Sequence, residues 1–166
     1  MNVILIGMPA CGKSCMGRAL AKRLNMKLLD TDRLIETRTG RALQDIINDS
    51  GLEAFKKLEE ETLLSISGDN MMISTGGSAV YYDAAMKHFK KTGIVVYLYV
   101  GFDIIKKRLG DFSKRGVVLK PGQSLEDLYR ERTALYEKYA DIVINCNGNA
   151  YPRYQSELIE ALKNHK

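Results

Sequence analysis

The segment Gly7-Met-Pro-Ala-Cys-Gly12-Lys13-Ser14 constrains the fold of this chain more than any other part of its sequence. It matches the pattern G-x-x-x-x-G-K-[ST], follows the apolar run at residues 3–6 and precedes a segment with helical spacing of apolar residues. Such a turn points successive backbone N–H groups at one anion, and the helix that follows adds partial positive charge at its N-terminus. The segment therefore predicts a phosphate-binding loop, or P-loop.

The residue types within this loop point to MgATP as the ligand. Lys13 is expected to reach the β- and γ-phosphates, and the Ser14 hydroxyl is expected to coordinate the Mg²⁺ that bridges the same oxygens. Cys11 either fills the loop as a small side chain or carries a thiol made reactive by the helix N-terminus, and the first alternative is favoured. The predicted nucleotide-binding residues of the loop are Gly7, Ala10, Cys11, Gly12, Lys13, Ser14 and Cys15.

Short β-rich runs alternate with helix-length segments along the chain. The predicted strands are 3–6, 27–29, 71–74, 94–100 and 142–145. The predicted helices are 13–24, 43–48, 52–65, 83–90, 103–109, 124–138 and 154–163. This order predicts one α/β domain over residues 1–166, a three-layer P-loop NTPase fold with a five-stranded parallel sheet flanked by helices. Residues 110–123 lack periodicity and are predicted to form a mobile lid.

The composition excludes several other classes of protein. The longest apolar runs, at residues 3–6 and 94–100, are far shorter than the roughly 20 residues of a membrane span. The 166 residues include 25 Lys and Arg and carry a formal net charge of +5, but the basic residues are scattered. We therefore expect neither a membrane nor nucleic acid as a partner. The excess positive charge suits an anionic nucleotide and an acidic substrate.

The cysteine pattern and the start of the chain favour the cytoplasm. Cys11, Cys15 and Cys146 are odd in number, show no C-x-x-C spacing and lie far in sequence from either histidine. This pattern indicates reduced thiols rather than a disulfide framework or a zinc site. Met1 leads directly into a strand pattern, without the basic region or cleavage site of a secretory signal. A monomer is the default expectation, because nothing in the sequence marks an interface.

Polar residues follow two of the predicted strands. Asp30 and Asp32 stand at the end of the second strand, at the edge of a parallel sheet where ligands bind in open α/β folds. Asp30 is expected in the magnesium shell and Asp32 beside an acceptor hydroxyl, as hydrogen-bond partner or base. The alternative for Asp32 is a helix cap. Gly76 and Gly77 follow the third strand and allow a ligand to approach the backbone.

With a late basic loop and the segment Glu131-Arg132-Thr-Ala-Leu135-Tyr136, these motifs resemble shikimate kinase in order and approximate spacing over residues 7–145. The resemblance implies phosphoryl transfer from MgATP to shikimate, giving shikimate 3-phosphate in the synthesis of chorismate and aromatic amino acids. It implies an acceptor-binding helical segment at 32–62 and catalytic roles for Lys13, Asp32 and Arg115, the last on the lid. It further implies an adenine-side Arg108 and acceptor-binding residues Asp32, Lys56, Gly76, Gly77 and Arg132.

The chain departs from the family pattern on the acceptor side. Lys56 stands where the family has an arginine, Ser78 replaces a third glycine, and Arg115-Gly-Val-Val replaces Arg-Pro-Leu-Leu in the lid. Lysine lacks the two-pronged geometry of arginine, although it still neutralises an acid. The alternatives are therefore a kinase of the same fold for another small hydroxylated acid or amino acid, and a nucleotide-binding module without catalysis. For Arg132 the alternative is a solvated helix face.

Overall fold

The computed structural model describes residues 1–111 and 117–165. Within these residues, five parallel strands form one sheet in the order β2-β3-β1-β4-β5. The strands are β1 (Asn2–Ile6), β2 (Lys27–Asp30), β3 (Met71–Ser74), β4 (Gly93–Tyr99) and β5 (Ile142–Asn145). The five predicted strands are confirmed, with shifts of one residue at some ends. Because all strands run the same way, the segments that follow them meet at one edge of the sheet.

Helices connect the strands. They are α1 (Lys13–Arg23), α2 (Thr31–Thr39), α3 (Leu43–Ser50), α4 (Leu52–Leu64), α5 (Asp83–Thr92), α6 (Phe102–Leu109), α7 (Leu125–Tyr139) and α8 (Tyr151–Asn164). A short 3₁₀ helix, Ala79–Tyr81, precedes α5. Every residue of β1 and β3 is buried. Since side chains alternate between the two faces of a strand, helices cover both faces, and the predicted three-layer α/β fold is confirmed.

Helix α2 is absent from the predicted helices, because its start is marked by a polar cap rather than by apolar periodicity. Asp30 is the N-cap, and its Oδ1 accepts hydrogen bonds from the backbone N–H groups of Asp32 (3.0 Å) and Arg33 (3.2 Å). The alternative prediction, in which Asp32 caps this helix, is therefore wrong, because the cap is Asp30, two residues earlier. Thr31 and Ile35 are the buried residues of α2, which is too few for a recognisable apolar stripe.

The apolar core has two parts. The larger cluster surrounds the sheet and includes the whole of β1 after Asn2 and the interior of β4. A smaller cluster of Ile35, Ile46 and Phe55 joins α2, α3 and α4. These three helices therefore pack on one another beside the β2 edge of the sheet. Among the described residues, no helix combines the length and apolarity needed to cross a membrane.

Candidate active site

The loop between β1 and α1 is closely packed. Cys11 is buried. A methyl group placed on Gly7 would lie 2.8 Å from Cys11 Sγ and 2.9 Å from the carbonyl oxygen of Leu98. With a φ of 152°, Gly7 meets both requirements for glycine, a positive φ and close approach of the chain. The Cys11 thiol thus fills the space behind the loop, as expected for a small packing side chain.

The Lys13 side chain curls back over this loop. Its Nζ donates hydrogen bonds to the carbonyl oxygens of Gly7 (2.7 Å) and Met8 (2.8 Å) and lies 3.5 Å from Cys11 Sγ. The side chain is buried, although it carries a charge. The loop carbonyls offset the cost of burying the ammonium, since a buried charge needs hydrogen-bond partners. A cation is therefore held where the loop would receive phosphates.

Most of the predicted site residues surround one cavity of about 590 Å³ at the carboxyl edge of the sheet. Asp30 and Asp32 enter it from the end of β2, the glycine turn enters from the end of β3, and Arg132 enters from α7. Gly7 and Cys11 are not among the residues that line it. The predicted residues that do line it are Ala10, Gly12, Lys13, Ser14, Cys15, Asp30, Asp32, Gly76, Gly77, Arg108 and Arg132.

The Asp32 carboxylate lies against the glycine turn. A methyl group on Gly76 would lie 2.7 Å from Asp32 Oδ1. Burial, and then the negative charge of Asp30, raise the pKa of Asp32 to about 6, while Lys13 acts in the opposite direction. A carboxyl group with such a pKa exchanges a proton near neutral pH, which suits hydrogen bonding to, or proton removal from, a hydroxyl.

Buried partners fix the glycine turn. The Gly76 N–H donates to Thr31 Oγ1 at 3.1 Å, and the Tyr136 hydroxyl donates to the Gly77 carbonyl oxygen at 2.6 Å. Thr31 and Tyr136 are both buried. Sequence reasoning noted the segment that contains Tyr136 but gave the residue no role. Its function as an anchor depends on the approach of α7 to the turn, which no local pattern signals.

Glu59 is a third acidic residue of the cavity, after Asp30 and Asp32, and sequence reasoning assigned no role to it. It lies on α4, is 3% exposed, and accepts a hydrogen bond of 2.6 Å from Ser78 Oγ at its Oε1. Burial raises the pKa of Glu59, whereas hydrogen bonds from Ser78 and Tyr82 lower it. The one available signal was its position in the segment Phe55-Lys-Lys-Leu-Glu59 beside the departures at Lys56 and Ser78.

Arg132 is 7% exposed, so the alternative of a solvated helix face is wrong. Its guanidinium carbon lies 5.5 Å from the centre of the Tyr81 ring, and a methyl group on Gly77 would lie 2.9 Å from its Nη1. Among the described residues, Arg132 Nε has no hydrogen-bond partner. A buried guanidinium with an unpaired N–H beside a cavity is suited to bind a carboxylate.

Arg108 links the P-loop to the end of β5. Its Nη1 donates to the Ala10 carbonyl oxygen and its Nη2 to the Gly148 carbonyl oxygen, both at 3.2 Å. The side chain is half-buried on α6, on the side of the P-loop away from Asp32. Arg108 and the acidic groups that follow β2 thus line the same cavity from elements that follow strands on opposite sides of β1.

Lys56 lies away from this cavity. Its Nζ is 3.4 Å from Glu53 Oε1, and its side chain is 46% exposed. It lines an adjoining cavity of about 470 Å³ between α4, the 3₁₀ helix and residues 118–123, and this cavity shares Ser78 and Arg132 with the first. Arg115 and the centre of the predicted lid lie outside the described residues.

Glu131 connects the described end of the predicted lid to the rest of the site. Its carboxylate accepts hydrogen bonds from Lys120 Nζ (3.5 Å), Gln123 Nε2 (3.2 Å) and the Tyr81 hydroxyl (3.1 Å). Arg132, the next residue, approaches the ring of the same Tyr81. The Glu131-Arg132 pair thus contacts both the end of the loop and the part of the cavity wall beside Gly77.

The donor set at the P-loop fits a magnesium ion. Among the described residues no cluster of three or more His, Cys, Asp or Glu side chains could hold a metal ion unaided. Mg²⁺ usually binds one or two protein ligands together with phosphate oxygens and waters, so such a cluster is not required. Ser14 and Asp30 line the same cavity and offer oxygen ligands, although Asp30 Oδ1 is already engaged in capping α2.

Comparison with known proteins gives one consistent result. A family model described as shikimate kinase matches residues 9–163. A shikimate kinase from Clostridium botulinum is 36% identical over 153 residues, which cover 88% of each chain. A shikimate kinase from Bacillus anthracis is 33% identical over 162 residues, which cover 97% of this chain and 98% of that protein. A shikimate kinase structure from Acinetobacter baumannii, in complex with shikimate, has a TM-score of 0.88 at 30% identity and covers 99% of this chain and 94% of its own. These matches confirm the resemblance carried by the motifs, and the chain belongs to the shikimate kinase family.

Proposed function

We propose that this protein transfers the γ-phosphoryl group of ATP to a hydroxyl of shikimate, giving shikimate 3-phosphate for chorismate and aromatic amino-acid synthesis. The observation that carries the proposal is the joint placement of Lys13, Asp32 and Arg132 around one cavity. These three side chains supply a cation for phosphates, a carboxyl group for a hydroxyl and a guanidinium for a carboxylate. Shikimate carries both acceptor-side groups.

The reaction needs little beyond positioning and charge stabilisation. Asp32 orients the acceptor hydroxyl and takes its proton as the oxygen attacks the γ-phosphorus. A phosphorus–oxygen bond forms to the acceptor while the bond to the β-γ bridging oxygen breaks, and ADP leaves. Lys13 stabilises the negative charge on the phosphate oxygens, because a buried cation that is held in place acts strongly on developing charge.

Ser14 and Asp30 are the residues proposed to hold magnesium. The ion would neutralise charge on the nucleotide phosphates and orient them. Arg108 is proposed on the adenine side, since it bridges the P-loop and the segment after β5. Arg115 is proposed as the lid arginine that faces the transferred phosphate, and Gly76 and Gly77 are proposed to contact the acceptor.

Arg132 and Lys56 are both proposed to interact with the acceptor carboxylate, with Arg132 making the stronger contact. Arg132 is buried, has an unpaired Nε and can form a two-pronged contact. Lys56 is half-exposed and paired with Glu53, so it contributes charge from the rim of the adjoining cavity. This division would allow the site to bind the carboxylate with lysine in place of the family arginine.

The first experiment measures ADP release from MgATP with shikimate, homoserine, threonine, gluconate and nucleoside monophosphates, and compares their specificity constants. We expect a strong preference for shikimate. Turnover of another acceptor without shikimate turnover would instead support a kinase of this fold for a different hydroxylated acid or amino acid. ATP binding without any acceptor-dependent turnover would indicate a nucleotide-binding module without catalysis.

We also propose that the protein works in the cytoplasm as a monomer, without nucleic-acid or membrane partners. Cys11, Cys15 and Cys146 are free thiols, which suits a reducing compartment. Size-exclusion chromatography with light scattering measures the oligomeric state directly. A mass of twice 18.6 kDa would contradict the monomer.

A further inference from the structure

Glu59 is held without a cation from its own helix. Lys56 lies one turn earlier on α4, but its Nζ is directed to Glu53. Glu59 itself is 3% exposed and forms part of the cavity wall that also contains Asp32. A buried carboxylate needs hydrogen-bond donors, since burial without them is costly.

A neutral hydroxyl group supplies one such donor. Ser78 Oγ donates to Glu59 Oε1 at 2.6 Å, a short distance typical of a bond to an ionised carboxylate. The Tyr82 hydroxyl also favours the ionised form of this carboxylate and lowers its pKa. Ser78 belongs to the turn that follows β3, whereas Glu59 belongs to α4, so this bond ties the acceptor-side helices to the edge of the sheet.

The other groups that face Glu59 carry opposite charges. Asp32 on α2 disfavours its ionised form, and Arg132 on α7 favours it. Burial contributes most and raises the pKa of Glu59, while the Ser78 bond is the largest influence that lowers it. Loss of the Ser78 hydroxyl would therefore both release the carboxylate and make its protonation easier.

We propose that Ser78 is a positioning residue for the acceptor, whose hydroxyl fixes the Glu59 carboxylate at the cavity wall so that Glu59 can accept a hydrogen bond from an acceptor hydroxyl. The inference rests on the proposed function and deepens it. Lys56 pairs with Glu53 and does not hold the Glu59 carboxylate in place. In this proposal Ser78 holds it instead.

Steady-state kinetics of Ser78→Ala test this proposal. We expect the KM for the acceptor to rise by roughly tenfold, because a lost hydrogen bond to a charged group has about that effect. The turnover number and the KM for ATP should change much less. Ser78→Thr keeps the hydroxyl and should restore most of the affinity. Ser65→Ala is the control, since Ser65 also bonds α4, donating to the Thr62 carbonyl oxygen at 2.7 Å, but lines neither cavity.

The pH profile and a double variant separate positioning from general stability. In Ser78→Ala the pKa of Glu59 rises, so protonation of Glu59 should add to the loss of kcat/KM that Asp32 alone causes near pH 6, and the acidic limb for the acceptor should move to higher pH. In a Glu59→Gln background, Ser78→Ala should have little further effect on the acceptor KM. An equal effect of Ser78→Ala in both backgrounds would overturn this inference but not the proposed function. The same holds if the acceptor KM of Ser78→Ala stays within twofold of the wild-type value. Absence of acceptor-dependent turnover in the wild-type protein would overturn the proposed function, and the inference with it.

Discussion

The Tyr136 hydroxyl donates a hydrogen bond of 2.6 Å to the carbonyl oxygen of Gly77. The Tyr136 side chain is completely buried, and burial raises its pKa, so the phenol stays protonated and remains a donor throughout the neutral range. Two segments that are 59 residues apart in sequence are thereby joined. Arg132 lies one helical turn before Tyr136, so the same helix places a guanidinium and anchors the turn beside it.

Tyr136→Phe should disturb the acceptor site and the stability together. The change leaves the Gly77 carbonyl without this donor, and we expect the free energy of unfolding to fall by about 1–3 kcal/mol. The KM for the acceptor should rise while the KM for ATP stays nearly constant. Urea unfolding and steady-state kinetics measure both effects.

Tyr139→Phe provides the matched control on the same helix. The Tyr139 hydroxyl donates to Asp83 Oδ1 at 2.6 Å, and Tyr139 lines neither cavity. This variant should lose stability without a change in the acceptor KM. Equal changes in acceptor KM for the two variants would refute the specific role of Tyr136.

Gly77→Ala should prevent the normal approach of Arg132 to the turn. The added methyl group would lie 2.8 Å from Pro9 Cδ and 2.9 Å from Arg132 Nη1, and because both contacts are too short, both neighbours or the turn itself must shift. We expect the specificity constant for the acceptor to fall by roughly 10²-fold, the loss that a displacement of about 1 Å in a substrate-positioning group can cause.

Gly17→Ala serves as the comparison for that variant. A methyl group there meets Leu5 Cδ1 at 3.4 Å and Ser74 Cβ at 3.7 Å, which are ordinary contacts. Because Gly17 lies inside α1, alanine should be neutral or stabilise the helix by up to about 1 kcal/mol. Similar kinetic losses for the two glycines would show that the contact of Gly77 with Arg132 is unimportant.

Asp32→Asn should remove turnover with little effect on the fold. General base catalysis typically contributes roughly 10²–10⁴-fold, and we expect a loss of that size in kcat. In the wild-type protein, kcat/KM should fall as pH drops through about 6, where Asp32 becomes protonated. A variant that keeps wild-type turnover would remove Asp32 from the chemistry.

The same substitution should change how stability depends on pH. The folded-state pKa of about 6 lies above the ordinary value of 3.8, so the folded protein binds this proton more tightly than the unfolded chain does. The contribution of Asp32 to stability is therefore fully present below pH 3.8 and is lost as pH rises through about 6. The free energy of unfolding of Asp32→Asn minus that of the wild-type protein should therefore be larger at pH 8 than at pH 4. Urea unfolding at several pH values checks the sign.

Arg115→Ala should reduce turnover and leave nucleotide binding within about tenfold of wild type. An arginine that stabilises the charge of the transferred phosphate contributes roughly 10³–10⁵-fold to the rate. Single-turnover kinetics, together with titration of an ATP analogue, separate the two effects. Retained turnover would exclude the lid assignment of Arg115, and Lys114→Ala is the adjacent control for the loss of one positive charge.

Sequence reasoning succeeded where the signal is local. The P-loop is specified by eight consecutive residues, and each strand by a short β-rich run. Helix α2 was missed because Asp30 starts it through its side chain, while its apolar positions are few. The Ser78–Glu59 bond and the burial of Arg132 were beyond local patterns, since both depend on how α4 and α7 approach the turn after β3. The departure at Lys56 stays a prediction from the sequence, and the direction of its side chain follows from its pairing with Glu53.

The strand order has a consequence for how this protein can evolve. Strands β2 and β3 lie on one side of β1 and end in Asp30, Asp32 and the glycine turn, whereas β4 and β5 lie on the other side and lead to Arg108 and its partner Gly148. Two of the three departures from the family pattern, those at Lys56 and Ser78, belong to the first side, and the third lies in the predicted lid segment between α6 and α7. One half of the sheet edge can thus adapt to a new acceptor by successive substitutions, while the inherited nucleotide half keeps supplying the same phosphoryl group.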